Sequence, residues 1–173
     1  LWIKSVTLLW GCICAYDCAE ELAHVLGKED GLFFMSGVQA QLCALKVHCE
    51  ELHRSLFACH STCHLLLHEE GAHEAVMQLG AVVVGQRHQV VRLQQVKEAL
   101  RGRESEVAVL VLELPMREIG GQAIPFEELL LLREWCLQRN IRMHMDGAVF
   151  VLLVYVWVRV FLCVVCVCVC ACV

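Results

Sequence analysis

The chain has 173 residues, of which 58% are hydrophobic, 19% are charged and only 2 are proline. That length suits one domain of ordinary size, and that composition excludes a disordered or collagen-like chain. With 14 Lys+Arg against 19 Asp+Glu and no basic block, the charge pattern excludes the footprint of a nucleic-acid-binding protein.

The elements follow in chain order. Residues 1–16 form an apolar segment of uncertain structure, and its Leu8–Ala15 run is too short and too poorly flanked for a secretory signal. Asp17–Leu26 is predicted to be a helix, with Cys18, Leu22, Val25 and Leu26 on one face, Asp17 as N-cap and Gly27 as stop. Gly31–Met35 reads as a short strand. Ser36-Gly37 then turns the chain into a helix over Val38–Cys49 that buries Leu42, Leu45 and Val47. Strands are expected at Ser55–Cys59 and Ala81–Gly85, with a helix over Glu69–Leu79 between them. A helix at Leu93–Leu100 precedes Val107–Leu114, the longest β run, which reads as buried on both faces. The helix Glu127–Gln138 and the strand Ile141–Met145 lead to Asp146-Gly147. Strands alternating with helices predict an α/β fold with a mostly parallel sheet covered on both faces. Ligands in such sheets sit at the carboxyl ends of the strands, where Ser36-Gly37, the Cys59–His64 loop, Pro115–Gly121 and Asp146 all fall.

From Ala148 to Val173 the sequence changes character, with Arg159 as its only charge. Residues 1–147 then carry 13 basic and 19 acidic side chains, a net charge of −6. Twenty-six nearly uncharged residues are long enough to span a bilayer. Against a span stands the alternation of Val and Cys, which a repeated TG dinucleotide encodes as GTG and TGT. The tail, residues 149–173, is therefore read as translated non-coding repeat, with a membrane segment through 148–173 as the alternative. Either way it is a period-two, β-branched strand former and an aggregation hazard. The start at Leu1 fits a fragment or a conceptual gene product. Five of the 13 cysteines lie in the tail and the others are scattered singly, which favours a reduced, cytoplasmic compartment over a disulfide framework.

The densest reactive cluster is Cys59-His60-Ser61-Thr62-Cys63-His64, followed by His68, Glu69 and His73. Three residues separate its cysteines, so it fails the haem-attachment spacing, and no second ligand pair at zinc-finger spacing follows. No metal is assigned, and solvated loop histidines remain the simplest reading of the cluster by itself. Met35-Ser36-Gly37-Val38, between strand and helix, offers an anion seat of the kind any βα turn offers. Asp146 at a strand end reads alone as a helix cap, and Gly120-Gly121 alone as a turn.

Taken together and in order, MSGVQAQLCAL, CHSTCHLLLHEEGAH, VLVLELPMREIGGQAIPFEEL and IRMHMDGA resemble the threonine aldolase and aromatic amino acid β-eliminating lyase family. The resemblance covers about residues 17–148. It implies a partial large domain of the pyridoxal-phosphate transferase fold, the one seen in aspartate aminotransferase, and pyridoxal 5'-phosphate as cofactor. It further implies a phosphate seat at Ser36, Gly37 and Val38, His64 stacked on the pyridine ring with Glu69 nearby on the same element, and Asp146 paired with the ring nitrogen. Arg117 is carried over as a residue of the active-site edge. The activity implied is lyase chemistry of amino-acid metabolism: cleavage of a threonine-like β-hydroxy amino acid to glycine and an aldehyde, or β-elimination. A homo-oligomer is implied as well.

The sequence departs from the family pattern in three places. Val38 stands where the family has a threonine, and Val149 stands where an arginine follows Asp-Gly-Ala. The cofactor-bearing lysine of the family lies further downstream, and none of Lys4, Lys28, Lys46 or Lys97 matches it. The chain is accordingly expected to be inactive by itself, with an open outer edge on its last strand. The alternative is a non-catalytic, tail-anchored protein built on a decayed lyase domain.

Overall fold

A computed structural model describes residues 23–24, 28–32, 34–148 and 168–171, the last four as backbone. The helix expected over Asp17–Leu26 falls almost wholly outside the described residues, of which only Ala23 and His24 are helical. In the segment expected as a strand at Gly31–Met35, none of the described residues is in a strand. They are irregular, and Leu32 and Met35 point outward, with no strand beside them among the described residues.

The ordered core begins with α1, Gly37–Glu51, capped by Ser36, whose extended backbone lets its Oγ accept the Gln39 N–H at 3.1 Å. The helix buries Gln41, Leu42, Leu45, His48 and Cys49, so His48 and Cys49 take the inward places, while Val47 is half-buried. β1, Leu56–His60, is followed by two single-turn helices, α2 at His64–Leu67 and α3 at Ala72–Ala75. The continuous helix expected over Glu69–Leu79 is broken by left-handed backbone at Glu70 (φ 49°) and Gly71 (φ 71°). β2, Gly80–Val84, α4, Leu93–Ala99, and β3, Val107–Glu113, come next. A cis Leu114–Pro115 peptide and a 3₁₀ turn at Arg117–Ile119 lead to α5, Phe126–Gln138, and then to β4, Arg142–Asp146.

The strands lie in the order β2-β1-β3-β4, all parallel. A register shift between the Leu56–Val107 and Phe57–Val109 pairs places a bulge at Ala108. A fifth strand, β5 at Cys168–Ala171, pairs antiparallel with β4. This corrects the expected open outer edge of β4. The Val/Cys alternation supplies strand-forming residues at the period that pairing needs.

Each sheet face has its own core. Leu42, Leu45 and Cys49 of α1 pack with Leu65 against Phe57, Cys59, Val109 and Val111. On the other face Val96 and Leu100 pack with Leu132, Trp135 and Cys136 against Ala58, Val82, Val84, Leu110 and Leu112. β3 is buried along six of its seven residues, as its unbroken apolar run predicts for the central strand of a doubly covered sheet. On α5 the apolar side chains of Phe126, Leu130, Leu131 and Leu137 remain exposed. Among the described residues no helix is long and apolar enough to cross a membrane.

Candidate active site

Strand order creates the site. β2 and β3 lie on opposite sides of β1, so the chain reverses direction across the sheet between β1 and β3, and a crevice opens at their carboxyl ends. There a cleft of about 240 Å³ is lined by Gly37, Val38 and Gln41 from α1, His64, His68 and Glu69 from the segment after β1, Glu113 and Pro115 from the end of β3, Arg117 and Glu118 from the 3₁₀ turn, and Asp146 and Ala148 from the end of β4. Of the site residues that the family resemblance implies, Gly37, Val38, His64, Glu69, Arg117 and Asp146 line this cleft, and Ser36 works from behind as the cap of α1.

The start of α1 forms one end of the cleft. Gln39 N–H is taken by Ser36 Oγ and Ala40 N–H by the Ser36 carbonyl. The N–H groups of Gly37 and Val38 precede the helical ladder and have no partner within it. With no acidic side chain in the first turn, the positive end of the helix dipole faces the cleft undiminished. Such an end accepts an anion.

Asp146 forms the floor and is 7% exposed. Its Oδ2 accepts from Gln41 Nε2 at 2.5 Å and its Oδ1 from the Ala148 N–H at 3.0 Å. Two donors thus hold the carboxylate in a single orientation. Gln41 was not singled out from the sequence, although it lies one helical turn beyond Gly37 and so on the same face.

His64 is the first residue of α2, and its Nδ1 lies 2.9 Å from Glu69 Oε1. A carboxylate oxygen accepts, so Nδ1 carries the hydrogen of this contact. Glu69 is buried, at 6% exposure, yet it sits in the turn between α2 and α3 and not on the element that carries His64. The expectation of a shared element is corrected in that respect. The turn at Glu70-Gly71 is what folds Glu69 back onto the ring.

The His64 backbone N–H donates to Glu113 Oε1 at 2.6 Å. At the mouth, His68 Nε2 meets Glu118 Oε1 at 3.0 Å, while Arg117 Nε stands 3.9 Å from the same carboxylate. Neither Glu113 nor Glu118 was chosen as a site residue from the sequence. The signal for Glu113 was a lone acid closing an otherwise apolar buried strand.

His60, from the same reactive cluster, has a structural task. Its Nε2 donates to the Gln86 carbonyl at 2.9 Å, and its Nδ1 accepts from the Thr62 N–H at 3.2 Å. Among the described residues no three His, Cys, Asp or Glu side chains gather where they could hold a metal ion. Nor does any described lysine line the cleft: Lys46 Nζ donates to the Met77 carbonyl at 3.1 Å, and Lys97 stands exposed on α4.

The donor set fits pyridoxal phosphate. Three buried polar atoms of cleft residues, Gln41 Oε1, Glu69 Oε2 and Glu113 Oε2, lack hydrogen-bond partners, an arrangement that a polar ligand would relieve. The helix start suits a phosphate, the His64 ring offers a flat face, and the pinned Asp146 carboxylate suits a protonated ring nitrogen.

Comparison with known proteins gives the same direction. The profile of the beta-eliminating lyase family matches residues 14–151. The low specificity L-threonine aldolase of Saccharomyces cerevisiae is 26% identical over 132 residues, which are 75% of this chain and 34% of that protein. A Listeria monocytogenes structure, of a protein proposed to be an L-allo-threonine aldolase, superimposes with a TM-score of 0.74 at 32% identity, covering 84% of this chain and 40% of that one. An Exiguobacterium structure, of a protein proposed to be an aromatic amino acid beta-eliminating lyase/threonine aldolase, superimposes with a TM-score of 0.72 at 33% identity, over 86% and 40% of the two chains. The chain spans about a third of the length of the curated relatives it matches, with shares such as 34% and 32%.

Proposed function

Because this chain belongs to the beta-eliminating lyase family, we propose that it forms the cofactor-holding part of a pyridoxal-phosphate-dependent lyase acting on a threonine-like β-hydroxy amino acid. The observation that carries the reading is the meeting of Gly37, Val38, His64 and Asp146 in one cleft, although the first and last lie more than a hundred positions apart. The N–H groups of Gly37 and Val38 hold the phosphate, with no hydroxyl to assist at position 38. His64 presents its ring face, and Glu69 fixes that ring by accepting from Nδ1. Asp146, steadied by Gln41 and Ala148, keeps the proton on the ring nitrogen.

When bound, the cofactor supplies an electron sink for cleaving the Cα–Cβ bond of the amino acid. The chain's own part in that reaction is proton handling. His64, whose side chain is partly open to the cleft, is the group placed to take and return a proton at the substrate hydroxyl, and the buried Glu69 holds its ring. Arg117, exposed at the rim, is placed to meet a substrate carboxylate.

Since no described lysine reaches the cleft, these 173 residues are expected to hold the cofactor without a covalent bond and to show no threonine cleavage above the background of free cofactor. The test is to join the chain to the later portion of a threonine aldolase relative and measure aldehyde release from threonine. Activity should appear, and His64→Ala and Asp146→Ala should each lower kcat by roughly 10²-fold or more. A joined protein whose turnover ignores both substitutions would contradict the reading.

A further inference from the structure

One half-buried acid of the cleft has no part in the chemistry above. Glu113 closes β3 and is the register partner of Asp146 on β4. Its Oε1 takes the His64 N–H at 2.6 Å, while its Oε2 is sealed from solvent without a hydrogen-bond partner. We propose that Glu113 is a positioning residue that works as a neutral, protonated acid: it fixes His64 through the backbone and leaves Asp146 as the charged carboxylate on the cleft floor.

Partner residues on adjacent strands put their carboxyl groups close together, and two such groups in a shielded site do not both ionise readily. The charge goes to the partner that receives more hydrogen-bond donors, although Asp146 is the more buried residue of the two. Asp146 receives two N–H donors, from Gln41 and Ala148, whereas Glu113 receives one, with only the weak Cys63 thiol beside it. Burial is the largest influence on Glu113 and pushes its carboxyl above the ordinary range. The His64 N–H opposes that push, the charge of Asp146 adds to it, and the His64 ring and the Cys63 thiol oppose it more weakly. The other titratable side chains around it are Cys59 of β1, His68 and Glu69 after α2, and Arg117 and Glu118 of the 3₁₀ turn. Ionising Glu113 would set a second negative charge beside Asp146 and the phosphorylated ligand. The functional meaning of the proposal rests on the cofactor reading, but the protonation of Glu113 does not.

The experiment uses the full chain carrying ¹³C at the Glu side-chain carboxyls, with Glu113→Gln identifying the resonance that disappears. That resonance should titrate above the ordinary Glu value of about 4.3 and move down in Asp146→Asn. Titration at or below the ordinary value would overturn the proposal. Glutamine keeps both the shape and the acceptor for His64. Glu113→Gln should therefore hold pyridoxal phosphate within about twofold of the parent chain at acid pH and lose less affinity than the parent as pH rises. Glu113→Ala should bind about tenfold more weakly, the worth of one oriented hydrogen bond. If Glu113→Gln loses as much as Glu113→Ala, a negative charge is required and the proposal is wrong. A parent chain that binds no cofactor would refute the cofactor reading alone, and the carboxyl titration would still decide the state of Glu113.

Discussion

His48 and His144 lie back to back behind the cleft floor, their rings 6.3 Å apart and edge-on, on α1 and on β4. Arg142 only donates, so its contact with His48 Nδ1 at 3.0 Å requires that nitrogen to be unprotonated. Burial, and then the Arg142 charge, lowers His48 from 6.5 to about 4. Burial, followed by the proximity of His48, lowers His144 to about 4, while Asp146 works the other way. Both histidines are thus held neutral in the folded chain and charge more readily once unfolded. The unfolded state then binds more protons between about pH 6.5 and 4, and folding stability must fall as pH drops through that window. The two histidines act together in this direction, by on the order of a few kcal/mol, and Glu113, with its raised carboxyl, contributes in the opposite direction. Urea unfolding followed from pH 7 to pH 4.5 should show this loss, and His48→Asn should flatten it. A stability independent of pH over that range would contradict the assignment.

At this scale the sequence showed some residues and hid others. Asp146 and His64 were legible because they sit in distinctive local runs, IRMHMDGA and CHSTCHLLLHEEGAH. Gln41 and Glu113 were not, because their meaning arises from contacts with residues 105 and 49 positions away. A glutamine on an apolar helix and an acid at a strand end carry no such information locally.

Elements were legible where burial set a clear period. β1, β2, β3, β4, α1, α4 and α5 all lie within two residues of the expected bounds, because alternating strands and helices with two-sided burial leave few other arrangements. The two failures have separate causes. Gly31–Met35 has strand-forming residues, but among the described residues no strand lies beside it, and propensity without pairing does not make a strand. The 69–79 segment has helical spacing, yet Glu70 and Gly71 turn left-handed and divert the chain so that Glu69 reaches His64.

Glycine tests that account. At Gly71 (φ 71°) an added Cβ would meet nothing within 4 Å, so Gly71→Ala should cost only the backbone strain, about 1–2 kcal/mol. At Gly85 (φ 81°) a Cβ would come within 2.7 Å of His60 Cδ2, and His60 is held by Thr62 and Gln86. Gly85→Ala should therefore cost roughly 1–3 kcal/mol more than Gly71→Ala. Chemical denaturation of the two variants checks the difference. Equal losses would mean that His60 moves aside freely.

For the whole molecule, composition and order of elements made the fold class legible, and the run of four motifs made the family legible. The tail was less so. Its composition supported both a membrane segment and translated repeat, and neither reading foresaw that Cys168–Ala171 would pair with β4. Strand pairing depends on which edge is free, and a free edge exists only once the sheet has formed.

The cofactor-binding cleft is likewise a property of the assembled sheet, since its parts come from four separate segments of the chain. Equilibrium titration of the purified chain with pyridoxal phosphate, followed by the cofactor's absorbance and fluorescence, tests it most directly. The account predicts saturable binding at one site per chain, competed by inorganic phosphate and reversed by dialysis. Borohydride should fix no stoichiometric cofactor on Lys28, Lys46 or Lys97, and Asp146→Asn should weaken binding by roughly ten- to hundredfold through loss of one charged hydrogen bond. No saturable binding, or an Asp146→Asn chain that binds as tightly as the parent, would contradict it.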